Sequence, residues 1–206
     1  MLFRSLEYCV QYNETDYAFV SRLMEEYGIY YYFEHTESDH TMHLVDSNTS
    51  LTDKSGGIKL DYYETNLSAP DRGDAVNSVV LGRRFRSGKF SFNDYDYKSP
   101  GTDLMADKEA GEHYANASLE MYHYPGRYDD KSVGEYLATI ALEAEHSLDR
   151  NVATSGDAVT CCPGYCLKLA GHYDSSVDKE YIVLRANHVF HAGAIATGMK
   201  DRKSVV

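Results

Sequence analysis

Short runs in which apolar and polar residues alternate recur along this chain, and most are soon closed by Gly, Pro, Asn, Asp or Ser. Alternation with a period of two buries one face of a strand, and the closing residues are those that turn a backbone. Leu6, Tyr8, Val10 and Tyr12 predict a strand over residues 4 to 12. Residues 29 to 35 are too aromatic and β-branched to continue a helix, and with 41 to 46 they predict a hairpin across the polar turn 36 to 39. Further strands are expected at 58 to 63, 152 to 159, 165 to 170 and 180 to 190. A long hairpin is expected from 76 to 85 and 89 to 97, with Ser87 and Gly88 at its turn. Extended structure resumes from 115 to 124.

Only two stretches carry the helical period. Phe19, Val20, Leu23 and Met24 share one face of a helix that Asn13 or Thr15 can cap, that Asp16 favours at its positive end, and that Gly28 stops. The second helix spans 133 to 149, with Ser132 as N-cap and Tyr136, Leu137, Ile140, Ala144 and Leu148 on one face. Residues 98 to 113 are polar, with at most a helical turn near Asp107. Residues 47 to 57, 65 to 74 and 173 to 178 read as loops, and 191 to 206 as an irregular tail. Many strands with two helices and no regular strand-helix alternation point to a mainly β or α+β class with two packing helices, its β domains barrel-like and antiparallel or packed as a sandwich.

Composition narrows the function classes. A chain of 206 residues can bury an ordinary core in one domain or two small ones. The formal charge of -12 opposes phosphate backbones and anionic headgroups, so no nucleic-acid partner is expected. No membrane-spanning segment is expected either, because no apolar run is long enough. Met1 to Asn13 lack the basic start and apolar stretch of a secretory signal. The 19 tyrosines against 7 phenylalanines and no tryptophan supply apolar area with a polar tip, which suits half-buried strands and subunit interfaces.

Each chemical motif has a structural reading beside it. His35, His40 and His43 could gather a metal across the hairpin, but the spacing fits solvated turn histidines. Cys161, Cys162, Cys166 and His172 offer soft ligands, yet a vicinal pair is not the separated pairing of structural zinc, and buried thiols with one exposed neighbour fit as well. Glu25 with Glu34, or Asp94 with Asp96, could be drawn as an acid pair. The plainer reading sets Asp94 and Asp96 on the outer face of a strand, with Tyr95 and Tyr97 inside. No nucleophile elbow, P-loop or dinucleotide fingerprint is present. The expectation is therefore no catalytic, cofactor-binding or metal residue, with a carbohydrate-binding module built on tyrosine strands as the alternative function.

The segment from Tyr8 to His35, YCVQYNETDYAFVSRLMEEYGIYYYFEH, resembles the strand-helix-strand signature of the VgrG family. Leu44 to Ser47, Phe92 to Pro100, Tyr122 to Tyr128, the helix from Val133, Pro163-Gly164, Leu167 to His172 and Glu180 to Val183 follow in the same order, so the resemblance covers residues 4 to about 190. It implies a phage tail hub-like fold, with a partial first hub subdomain at 1 to 63, a second barrel-like subdomain at 64 to 190, and the tail beyond. It further implies a structural, non-enzymatic hub of the type VI secretion needle tip that adapts the Hcp tube to a trimeric spike. Partners would be copies of itself in a homotrimer, the Hcp tube, and a PAAR-tipped spike with effectors through regions absent here. Assembly in the bacterial cytoplasm and export by the type VI system would follow. The family pattern also has further residues before the Tyr8 motif and an OB-fold with a valine-glycine repeat after Phe190, neither of which is in this sequence.

Overall fold

The computed structural model describes residues 6–47, 58–64, 74–110, 118–190 and 202–205. Their contacts cluster into two units, each assembled from two separate stretches: Met1–Tyr30 with Ser87–Ala144, and Tyr31–Arg86 with Glu145–Val206.

The first unit holds helix α1 (Asp16–Glu26), most of helix α2 (Lys131–Ser147), and a three-stranded sheet of β5 (Lys89–Phe92), β6 (Ala106–Glu109) and β7 (Glu120–His123) in the order β6-β5-β7. Helix α1 starts where expected. Thr15 Oγ1 accepts from the Ala18 N–H at 3.2 Å, and Asp16 lies in the first turn. Its end is a Schellman motif, in which Gly28 at φ +70° donates to Glu25 O and Ile29 donates to Met24 O. The cap of α2 is Asp130 rather than Ser132, because the Asp130 carboxylate accepts from both the N–H and the hydroxyl of Ser132. The buried stripe of α2 is Gly134, Leu137, Ala138 and Leu142, rotated from the predicted face, and it leaves Tyr136 free to donate to Tyr27 O at 3.1 Å. Leu104, Ala106, Tyr128 and Leu137 form the core, with Tyr27, Phe92 and Val133 around it.

Several strand expectations are overturned here. Residues 6 to 12 are not a strand among the described residues: the pattern alternates, but nothing forms a ladder with it, and Tyr8 and Tyr12 lie open to solvent. The run 89 to 97 does not pair with 76 to 85. Instead β5 pairs antiparallel with β6 and parallel with β7, so the polar stretch near Asp107 is a strand and not a helical turn. Local pattern could not reveal this, since Lys89, Asp107, Glu109 and Glu120 pair as charges across the ladder where an apolar alternation would otherwise be sought.

The second unit contains the hairpin β1 (Tyr30–His35) and β2 (His40–Val45), as expected, and a seven-stranded sheet. Its strands are β3 (Ile58–Tyr62), β4 (Ala75–Arg83), β8 (Arg150–Gly156), β9 (Cys166–Ala170), β10 (Glu180–Ile182), β11 (Asn187–Phe190) and β12 (Arg202–Val205), in the order β10-β9-β3-β4-β8-β12-β11. The mainly β, α+β class holds, with mixed pairing, since β3 runs parallel to both β4 and β9. The predicted strand over 180 to 190 divides into β10 and β11 at opposite ends of the sheet, and 202 to 205, expected to be irregular, pairs with β8 and β11. The predicted loops at 48 to 57 and 65 to 73, and residues 191 to 201, lie outside the described residues.

Four residues, Val183 to Ala186, connect those two end strands. Five backbone steps reach at most about 18 Å, whereas the edges of a flat seven-stranded sheet lie roughly 29 Å apart. The sheet must curl. His188 on β11 accordingly donates from Nε2 to Cys161 O at 2.8 Å, close to the start of β9. The curl encloses Leu60, Val76, Ala158, Cys161, Leu167, Leu169, Val177 and Val183. No ladder joins β10 to β11 among the described residues, so the architecture is barrel-like but open.

Close approaches at two glycines test this packing. A Cβ on Gly134 would sit 2.5 Å from Tyr128 Cζ, and one on Gly164, at φ +87°, 2.3 Å from Tyr32 Cγ. Gly→Ala inside a helix ordinarily stabilises by about 1 kcal/mol. Here Gly134→Ala is expected to destabilise by about 1 to 3 kcal/mol through overpacking, and Gly164→Ala by at least as much, read from urea unfolding midpoints.

Candidate assembly surface

The segments that follow β5 and β7 carry exposed tyrosines on a hydrogen-bonded frame. Asp94 is the centre of that frame. One carboxylate oxygen accepts from the Tyr95 N–H and the other from the Arg127 N–H, while Asn93 donates to His123 O and Gly126 donates to Asn93 O. Beneath it, the buried Tyr128 hydroxyl donates to Leu104 O at 2.7 Å. Burial, with the Asp94 charge second, pushes the Tyr128 hydroxyl up to about 12. Tyr95, Tyr97, Tyr122 and Tyr124 project from this frame, and all four are exposed, Tyr97 at 72%. This corrects the expectation of an inner tyrosine face. Residues 93 to 97 are not strand, so the alternation that would have turned Tyr95 and Tyr97 inward does not operate.

Lys89 ties the three-stranded sheet together. Its ammonium lies 3.3 Å from Asp107, 3.8 Å from Glu120 and 3.9 Å from Glu109, and the hydrogen bond to Asp107 leads in raising its pKa. Ser91, fully buried, donates to Glu120. In the same unit, Arg22 holds Glu14 at 2.8 Å and donates to Val10 O at 3.1 Å, which fastens residues 6 to 12 to α1. The hydrogen bond from Arg22 lowers the Glu14 carboxyl below its usual range. A groove of about 490 Å³ runs between residues 6 to 10 and α1.

None of the motifs that could carry chemistry assembles into a catalytic set among the described residues. Asp94 accepts from the backbone N–H groups of Tyr95 and Arg127 and Asp96 from that of Lys98, and Glu25 and Glu34 belong to different units. Cys161 and Cys166 are buried and Cys162 is exposed. Burial pushes the Cys161 thiol up to about 11, the reverse of a reactive cysteine. His172 is instead packed between Tyr62 and Tyr173, with its Nδ1 accepting from the Asp174 N–H. Of the three hairpin histidines, His43 pairs with Glu34 at 2.8 Å and stacks on Tyr32, whereas His35 and His40 meet each other. No three His, Cys, Asp or Glu side chains converge among the described residues.

The Asp94 frame was not legible in the sequence, since its bonds from Asn93 and Asp94 to His123, Gly126 and Arg127 span thirty or more positions. Tyr128→Phe is expected to cost about 1 to 2 kcal/mol by leaving the Leu104 carbonyl unsatisfied. Because its folded-state pKa is raised, the stabilisation from Tyr128 is complete below pH 10 and is lost as pH rises from 10 toward about 12. The phenylalanine variant should therefore show a shallower alkaline loss of stability in urea titrations over that window.

The phage tail baseplate hub (GPD) family matches residues 3–194. Over 186 residues the chain is 35% identical to the type VI secretion system spike protein VgrG1b and 34% identical to VgrG1c, both of Pseudomonas aeruginosa. Each alignment covers 90% of this chain, and 25% and 26% of those proteins respectively. A protein named actin cross-linking toxin VgrG1, of Vibrio cholerae, is 24% identical over 88% of this chain and 16% of its own length. The chain thus spans about a quarter of the length of the Pseudomonas relatives.

Proposed function

Since the chain belongs to the phage tail baseplate hub family, we propose that it serves as part of the hub of a type VI secretion spike, acting by packing rather than by chemistry. In that role it meets copies of itself in a trimeric ring and the Hcp tube beneath it. It assembles in the bacterial cytoplasm and leaves with the spike, whose PAAR tip and effectors attach through other parts of the longer protein. The actin cross-linking named for the Vibrio relative stays with that protein and enters no step here.

The observation that carries this reading is the set of Tyr95, Tyr97, Tyr122 and Tyr124, with Tyr122 exposed on β7 and the other three on the loops that the Asp94 frame fixes. Tyrosines held rigid lose little entropy on contact and present both apolar area and a hydrogen-bonding tip, which favours protein interfaces. A role by packing asks nothing of ionisable groups, and among the described residues no three His, Cys, Asp or Glu side chains converge. No helix among the described residues is long and apolar enough to cross a membrane.

Purified tube protein, immobilised and challenged with the spike polypeptide carrying this chain, tests the reading. Replacing the four tyrosines with serine is expected to reduce capture or trimer formation at least tenfold, with circular dichroism unchanged. Capture and trimerisation at full strength by the folded quadruple variant would refute the proposed surface. Saturable binding of oligosaccharides by the same tyrosines would favour the carbohydrate-binding alternative.

A further inference from the structure

We propose that His35 and His40 form a two-point chelate for a borderline divalent transition cation, of the Zn²⁺ or Ni²⁺ class, at the closed end of the β1–β2 hairpin. The two residues flank the four-residue turn and so face each other across the ladder. Thr36 fixes that turn: its N–H donates to Asp39 O at 2.9 Å, and its hydroxyl oxygen accepts from the Asp39 N–H at 3.0 Å. The Asp39 carboxylate accepts from the His40 N–H at 2.8 Å. Both imidazoles are exposed, and their Nδ1 atoms lie 2.8 Å apart with ring centroids at 4.9 Å.

Two ring nitrogens at hydrogen-bond distance must be one donor and one acceptor, since two lone pairs facing each other repel. A cation resolves the same geometry differently. With metal–nitrogen bonds of about 2.0 to 2.1 Å and a near-tetrahedral angle, the two nitrogens would stand about 3.3 Å apart. The rings therefore need to part by only about half an ångström. The bridging proton moves from Nδ1 to Nε2 of its own ring, so both Nδ1 lone pairs face the metal and no net proton is released from neutral imidazoles.

The surroundings favour a cation. Glu37 and Asp39 are the charged groups of the turn, and both are acidic. The ring of His35 stacks on Phe33, with centroids 6.2 Å apart, which restricts its rotation before any metal arrives. His43 takes no part, because its Nε2 is bonded to Glu34 on the opposite face of the hairpin. The remaining coordination positions are left to water, which distinguishes this site from a closed structural zinc centre. Imidazole pairs prefer Ni²⁺ and Zn²⁺ to the oxygen-seeking Mg²⁺.

Isothermal titration of the untagged chain with Zn²⁺ and Ni²⁺ at pH 7.5 tests this directly. One equivalent per chain is expected, reversed by a chelator, with no heat from Mg²⁺. His35→Ala and His40→Ala should each weaken the affinity tenfold or more, while His43→Gln should leave it unchanged. Circular dichroism checks that each variant is folded, and imidazole proton shifts in the parent chain report which rings respond. The absence of saturable binding, binding that survives both alanine substitutions, or responses from other histidines alone would overturn the assignment.

Discussion

The four residues between β10 and β11 constrain the larger unit more than any single contact does. They connect the two ends of a seven-stranded order, and their reach is shorter than that sheet would be wide if flat. Curling follows from chain connectivity alone, and the core follows from curling. Leu60, Leu167 and Leu169 come from β3 and β9, Val76 from β4, and Val177 and Val183 from the segments beside β10; they meet because the sheet wraps around them. The His188 to Cys161 bond records how near the two ends come.

The smaller unit depends on a different device. Its sheet has only three strands, and charges rather than apolar pairs cross one face of it. Its rigidity comes from packing α2 against Tyr128 and from loops tied by Asp94. Gly134 lets the Tyr128 ring lie against the helix backbone, and the same ring delivers its hydroxyl to Leu104. The consequence is functional as well as structural. A frame that satisfies its own backbone groups can leave tyrosines exposed, and exposed tyrosines on a rigid frame are what an assembly surface requires.

Helix α1, its Thr15 cap, its Gly28 terminus and the β1–β2 hairpin were legible because the information is local: a period, a capping residue and a turn within a few positions of one another. What failed was pairing at a distance. The alternation of Leu6 to Tyr12 specifies an extended segment but cannot supply a neighbour, and the residues from 76 to 97 read as one hairpin while their two strands belong to different sheets. The strand at Ala106–Glu109 was hidden by its charges, of which Asp107 and Glu109 pair with Lys89 on the neighbouring strand. On the candidate surface, tyrosine abundance was visible and tyrosine placement was not. The His35 and His40 pairing could have been read from the hairpin register, since residues flanking a four-residue turn oppose each other.

The central claim is that this chain works through surfaces that meet other protein chains. The most direct test places a photo-crosslinking phenylalanine analogue at Tyr97 of the spike polypeptide in cells with an active type VI system, then identifies the adducts formed on irradiation. Covalent adducts with the tube subunit or with a second copy of the spike are the expected result. Efficient incorporation and normal export without either adduct would contradict the claim.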